Sequence, residues 1–280
     1  MKKFELTAEF VTNVFGKKLF RIKALVAFGD VAKGELGGFI EKEGNLSNDG
    51  NAWVSGDAWV YGDAQVYGNA WVSGNAQVSG NAWVYGDAQV YGNAWVSGNA
   101  QVSGNVRVSG DAWVYGNARV FDNAWVYGNA QVYGNAWVYG DAQVYGNAWV
   151  YGDAQVYGNA WVSGNAQVSG NVRVYGNAQV SGNARVYGNA RVSGDAQVSG
   201  NADYAVVTGF GRYFRATTFF RCKDKILRVQ CGCFYGDLAQ FRKIVKKTHG
   251  DSKYAKEYLA IADLMEFHFY DEEENQEADE

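Results

Sequence analysis

Between residues 51 and 200 the chain contains no lysine, glutamate, histidine, cysteine, threonine or proline. Each absence excludes something. Without histidine, that stretch cannot supply a histidine base or a three-histidine metal site. Without threonine there is no threonine ladder of the kind that binds ice, and without cysteine there are no disulfide staples. The whole chain has only two histidines, His249 and His268, and three cysteines, Cys222, Cys231 and Cys233. An odd, clustered set of thiols gives no disulfide framework and fits a reducing, cytoplasmic compartment. No apolar run is long enough to span a membrane, because Gly and Asn recur every six residues in the uncharged stretches. A secretory leader is not expected either, since Glu5 and Glu9 interrupt the first segment.

What is present is repetition. Twenty-five valines stand six residues apart from Val54 to Val198, in a frame reading Gly-Asn/Asp-Ala-x-Val-Ser/Tyr. In Asn51-Ala52-Trp53-Val54-Ser55-Gly56, strand alternation puts Ala52 and Val54 on one side and Trp53 and Ser55 on the other. Gly56-Asp57 supplies the corner, because glycine accepts positive φ freely and Asn or Asp tolerates it better than most residues. Asp122 replaces glycine at one corner. The inward pair is small plus β-branched, which suits a narrow core. Three hexads closing a triangle predict an 18-residue coil and an all-β solenoid of about eight coils, about 40 Å tall. A two-sided 12-residue coil is the rival, since Trp71, Gln77, Trp83, Gln89, Trp95 and Gln101 alternate. Thin coils of that kind generally need disulfides, so the triangular form is expected.

Val54-Ser55-Gly56-Asp57-Ala58 and its echoes resemble the hexapeptide-repeat family. That resemblance implies a left-handed parallel β-helix, a homotrimer as the usual assembly, and acyltransferase activity in many members. The activity depends on a histidine at the coils, which this repeat does not supply. The chain is therefore read as non-enzymatic, with no cofactor. An acyltransferase relative without a recognisable active site is the alternative.

The expected domains are an N-terminal β cap (1–50), the repeat (51–202), a small C-terminal α+β module (203–270) and an acidic disordered tail (271–280). In the cap, Phe4–Val11 and Leu19–Phe28 read as strands. Tracing the hexad backwards puts Ile40 and Leu46 in alanine slots and Lys42 and Asn48 in valine slots. In the module, Tyr213–Lys223 and Ile226–Phe234 read as strands. A helix capped by Asp237 follows as far as Thr248, and a second helix starts near Ser252. The stretch Gly29–Ile40 resembles the N-terminal segment of uncharacterised bacterial and prophage hexapeptide-repeat proteins. The run from Thr217 to Phe234, with Lys247-Thr248-His249-Gly250, resembles a short domain of phage and prophage proteins. Those resemblances imply a bacterial host or a virion as the setting.

Cys222, Cys231, Cys233 and His249 are a weak candidate Cys₃His zinc set, with spacing unlike the paired Cys-x₂-Cys of firm zinc sites. The alternative is buried thiols in a small core. Arg242, Lys243, Lys246, Lys247, Lys253 and Lys256 form a basic run, read as solvated surface, so nucleic acid is disfavoured as a partner. The outward aromatics carry the functional expectation. Trp53, Trp59, Trp71, Trp83, Trp95, Trp113, Trp125, Trp137, Trp149 and Trp161 all follow the inward alanine or its equivalent. Thirteen tyrosines and Phe121 fill the Ser/Tyr slot. Fully exposed, ten tryptophans would present on the order of 2,000 Å². The expectation is a rigid aromatic-faced rod that self-associates or binds a glycan-like surface polymer.

Overall fold

The structure, a computed structural model, describes residues 2–276. Strands β1 (Phe4–Thr12), β2 (Lys18–Ala24) and β3 (Leu36–Ile40) open the chain. Twenty-five short strands follow, from β4 (Trp53–Val54) to β28 (Gln197–Val198). Four more, β29 (Tyr204–Val207), β30 (Thr217–Arg221), β31 (Leu227–Cys231) and β32 (Phe234–Asp237), precede α1 (Leu238–His249) and α2 (Lys253–Gln276).

Each repeat strand from β4 to β25 pairs in parallel with the strand 18 residues on, as in Trp53↔Trp71 and Gln179↔Gln197. The strands fall into three sheets, so the coil is triangular and the 12-residue alternative is excluded. Alanine and valine of each hexad are fully buried along the axis, with Val106 and Val172 taking alanine slots. Counting the partial coil at the N-terminal end, the stack has about nine coils, one more than the hexads alone give.

Two constraints select glycine at the corners. The corner φ is positive, for example 71° at Gly128. A Cβ there would also lie 3.1 Å from the backbone of Gly146 in the next coil. Asp122 holds the same conformation at φ 63°, and its carboxylate accepts from the Gly140 N–H at 3.2 Å. It is thus a tolerated corner. Along the corner edges, Asn side chains hydrogen-bond to the equivalent residue 18 positions on. One run goes Asn81 to Asn99 to Asn117 to Asn135 to Asp153, at 2.9–3.1 Å. Aspartate ends a run because an ionised carboxylate only accepts.

The N-terminal cap extends one sheet: β1 and β2 pair antiparallel, β2 pairs with β3, and β3 joins the solenoid in parallel. Ile40 pairs with Val60 and Leu46 with Val66, an offset of 20 residues. Ile40 and Leu46 therefore occupy valine slots, and the backward-traced phase is two residues out. The lead-in coil is longer than the repeat, which a strict hexad count cannot register. β2 ends at Ala24, well short of Phe28, which instead packs on Trp53.

At the other end, β29–β32 form an antiparallel sheet. Tyr204, Phe220 and Cys222 of this module join the solenoid core, whereas Phe219, Leu227 and Val229 pack under the helices. The segment read as one strand over Ile226–Phe234 is a hairpin turning at Gly232-Cys233. Tyr213 and Phe214 lie outside any strand, and β29 is an extra one. Both helices stand where expected. Asp237 accepts from the Gln240 N–H at 2.7 Å, and Gly250 closes α1. The acidic stretch from Asp271 falls in the last turns of α2 and in residues 277–280, which lie outside the described residues. Among the described residues, no helix is long and apolar enough to cross a membrane.

Candidate functional site

The outer faces follow directly from the 18-residue register. On each face, one column carries the residue before the valine and a parallel column carries the residue after it. The first column mixes Trp, Gln and Arg. On one face it runs Trp95, Trp113, Gln131, Trp149, and on another Arg119, Trp137, Gln155, Arg173, Arg191. The second column carries the tyrosines, which stack in near-parallel ladders. Tyr115, Tyr133 and Tyr151 lie 4.8–4.9 Å apart, as do Phe121, Tyr139 and Tyr157 at 4.8 Å.

The two columns interlock. Trp137 stands edge-on to Phe121 at 6.1 Å, and Trp149 to Tyr133 at 6.5 Å. Trp95 and Trp113 stack at 5.4 Å. Arg107 and Arg119 lie over Trp125 and Trp137 at 4.9 and 5.3 Å, in cation–π contact. Tyr127 donates its hydroxyl to Gln143 Oε1 at 3.4 Å. Burial within the ladders raises the phenol pKa of Tyr67, Tyr115, Tyr127, Tyr133, Tyr139 and Tyr157.

This interlocking cuts the exposed aromatic area well below the sequence expectation. Trp53 is completely buried beneath Phe28, and Trp59 and Trp71 are half-buried. The seven from Trp83 to Trp161 keep only 36–44% of their surface exposed. Two or three of them fall on each face, giving about 200–300 Å² of tryptophan per face. A patch of that size is ordinary for a monomer.

The four candidate metal ligands do not assemble. Cys222 is on the solenoid side of the C-terminal sheet and pairs with Ala196. Cys231 faces the helices, where its Sγ lies 4.0 Å from the Tyr258 hydroxyl. Cys233 is exposed in the hairpin turn, and His249 packs on Tyr258 at 5.8 Å. Alternation along β30 and β31 separates Cys222 from Cys231 by the thickness of the sheet. Among the described residues, no group of three or more His, Cys, Asp or Glu side chains could hold a metal ion. Burial raises the Cys222 thiol pKa, as suits a packed rather than a ligating sulfur. Arg242, in the basic run, is paired with Asp263 and Glu266 at 2.7 and 2.6 Å.

One cluster went unread in the sequence. Arg173 and Arg191 are register neighbours on one face, and Arg215 of the C-terminal module reaches the same groove. The signal was there: tryptophan stops at Trp161, and three of the repeat's five arginines crowd into 173–191.

A triangular stack of two- and three-residue strands, closed at both ends and with no loop between coils, defines a β-solenoid repeat protein. The family model that matches is described as the YdcK beta solenoid repeat. It matches eleven successive segments between residues 64 and 200, the first at 64–80 and the last at 184–200. No curated protein matches the chain.

Proposed function

We propose that the protein is a non-enzymatic scaffold whose faces bind an extended, glycan-like surface polymer. The observation that carries this is the interleaving of half-exposed tryptophans with glutamine amides along each straight face, beside the tyrosine ladders. A flat ring accepts the C–H face of a sugar, and a glutamine amide both donates and accepts, as hydroxyl groups require. The coils repeat without an inserted loop, so the surface suits a linear ligand better than an enclosed small molecule. The modest tryptophan area on each face favours reversible polymer contact over obligate burial between subunits. A homotrimer packed through these faces is the competing arrangement. The left-handed winding, the phage or prophage source and the placement in a bacterial cytoplasm or on a virion belong to the same reading. They rest on the sequence resemblances alone.

The test is affinity electrophoresis in gels cast with neutral polysaccharides, with tryptophan fluorescence as a second readout. A saturable retardation is expected, and Trp95→Ala with Trp113→Ala should weaken it about tenfold, roughly 1.4 kcal/mol. Unchanged mobility across a panel of β- and α-linked neutral glucans, with no change in emission, would contradict the proposal.

A further inference from the structure

Where the solenoid meets its C-terminal module, a groove of about 580 Å³ is lined by Arg173, Arg191 and Arg215, with Asn189 and the Gly232-Cys233 turn beside them. Arg173 and Arg215 are exposed and Arg191 is half-buried. None of the three guanidinium groups has a carboxylate within ion-pair distance among the described residues. Arg21, Arg228 and Arg242 each lie against an acid at 2.6–2.7 Å, whereas Arg107, Arg119 and Arg185 share the lack of one among the described residues, so the groove is distinguished by three such groups lining one space. The groove is also rich in donors. Asn171 donates to Asn189 at 3.3 Å, so the amide ladder reaches this level with the Asn189 NH₂ group still unused among the described residues. Arg191 spends one N–H on the Gly232 carbonyl at 3.3 Å, and that carbonyl also accepts from the Gln230 side-chain amide at 2.9 Å.

From three uncompensated forks and a spare amide donor, we infer that this groove binds an oxyanion: a phosphate, sulfate or carboxylate group. The planar guanidinium presents parallel N–H donors that match two oxygens of such a group, which a single lysine cannot do. Two sources share this chemistry, a free small anion and the charged substituents of a polymer. The position favours the polymer, because the groove lies in line with the Trp137–Gln155–Arg173–Arg191 column and the face leads straight into it. The oxyanion site does not depend on neutral-polymer binding along the faces. It stands or falls on the arginines.

The experiment titrates the full chain with inorganic pyrophosphate and, separately, with dextran sulfate, using neutral dextran as the control. Arg173→Ala and Arg215→Ala are expected to weaken binding of the charged probes by about tenfold each. Arg185→Ala, a lone exposed arginine on a different face, should stay within about twofold of the parent. Bound probe should also slow alkylation of exposed Cys233, read by mass spectrometry, while leaving buried Cys222 unreacted. Tighter binding of dextran sulfate than of pyrophosphate identifies a polymer-borne group, and the reverse identifies a free anion. Equal losses for Arg185→Ala and Arg173→Ala would reduce the effect to general surface charge and overturn the site. So would the failure of both charged probes to bind.

Discussion

The two ends of the solenoid solve one problem by different means. A β-helix exposes strand edges at both ends, and open edges invite association. At the N-terminal end the cap extends the solenoid, because β3 adds to one sheet in parallel and side-chain donors cover what remains. Lys3 Nζ, buried, donates to the Ala52 carbonyl at 2.8 Å, and Asn45 Nδ2 to the Gly62 and Ala64 carbonyls at 3.0 and 2.9 Å. At the C-terminal end a separate antiparallel sheet is laid on the last coil, and its side chains act mainly as acceptors. Asn201 Oδ1 takes the Arg185 N–H at 2.9 Å, and Thr218 Oγ1 takes the Arg191 N–H at 3.0 Å. The difference follows the corner bonds, in which most corner N–H groups donate to a glycine carbonyl of the next coil, as Asn129 does to Gly146 at 2.8 Å. That one-way run leaves carbonyls over at the start and N–H groups over at the finish. Each cap carries the complementary chemistry.

Charge in the middle of the stack should do more damage than any change at either end. Val126→Asp places a carboxylate in a fully buried column with no polar partner, at a cost on the order of 5 kcal/mol. Loss of the cooperative thermal transition in circular dichroism is the expected result.

A smaller effect separates the cap from the faces at a single repeat position. Trp53→Ala should cost about 3–5 kcal/mol, because the ring is buried under Phe28. Trp125→Ala, in the same slot but 40% exposed, should cost under about 1 kcal/mol. Denaturant midpoints measured side by side would show this. Equal shifts would mean that the cap does not enclose Trp53.

Lys3 makes the N-terminal end sensitive to pH. Burial pulls its pKa from 10.5 down to about 8, with Asp49 opposing the shift. The unfolded chain therefore holds this proton over a range where the folded chain has released it, and stability rises as pH climbs from about 8. The stacked tyrosines act in the opposite sense. Their raised pKa values keep them neutral in the fold, so their contribution is lost once pH exceeds about 10. A melting-temperature maximum between about pH 8 and 10 is expected, and Lys3→Met should remove the rise that leads to it. The smallest effect is at Asp122→Gly, which relieves a non-glycine residue at φ 63° but loses its bond to Gly140. It should raise stability by no more than about 1 kcal/mol.

The coil was legible because one physical rule, alternation broken by a glycine corner, repeats from Val54 to Val198 and leaves the core no other register. The caps were harder to read because their rules are not periodic. Ile40 and Leu46 enter valine slots through a 20-residue lead-in that no hexad count detects, and Lys3 is core-facing despite its charge. On the faces, the tryptophans were visible as an outward column, but their mutual shielding depends on ring packing between coils. The arginine groove was hardest of all. Arg215 meets Arg173 and Arg191 only through the placement of the C-terminal module, so local sequence could show the crowding in the last coils and not the third member.

The central claim is that the aromatic faces are open to a ligand and not sealed against sister subunits. The mass in solution, by light scattering on a sizing column, tests it most directly. A monomer near 30.7 kDa is predicted, with every face accessible. A stable trimer at the same concentrations would show that the faces meet one another, and would contradict the claim.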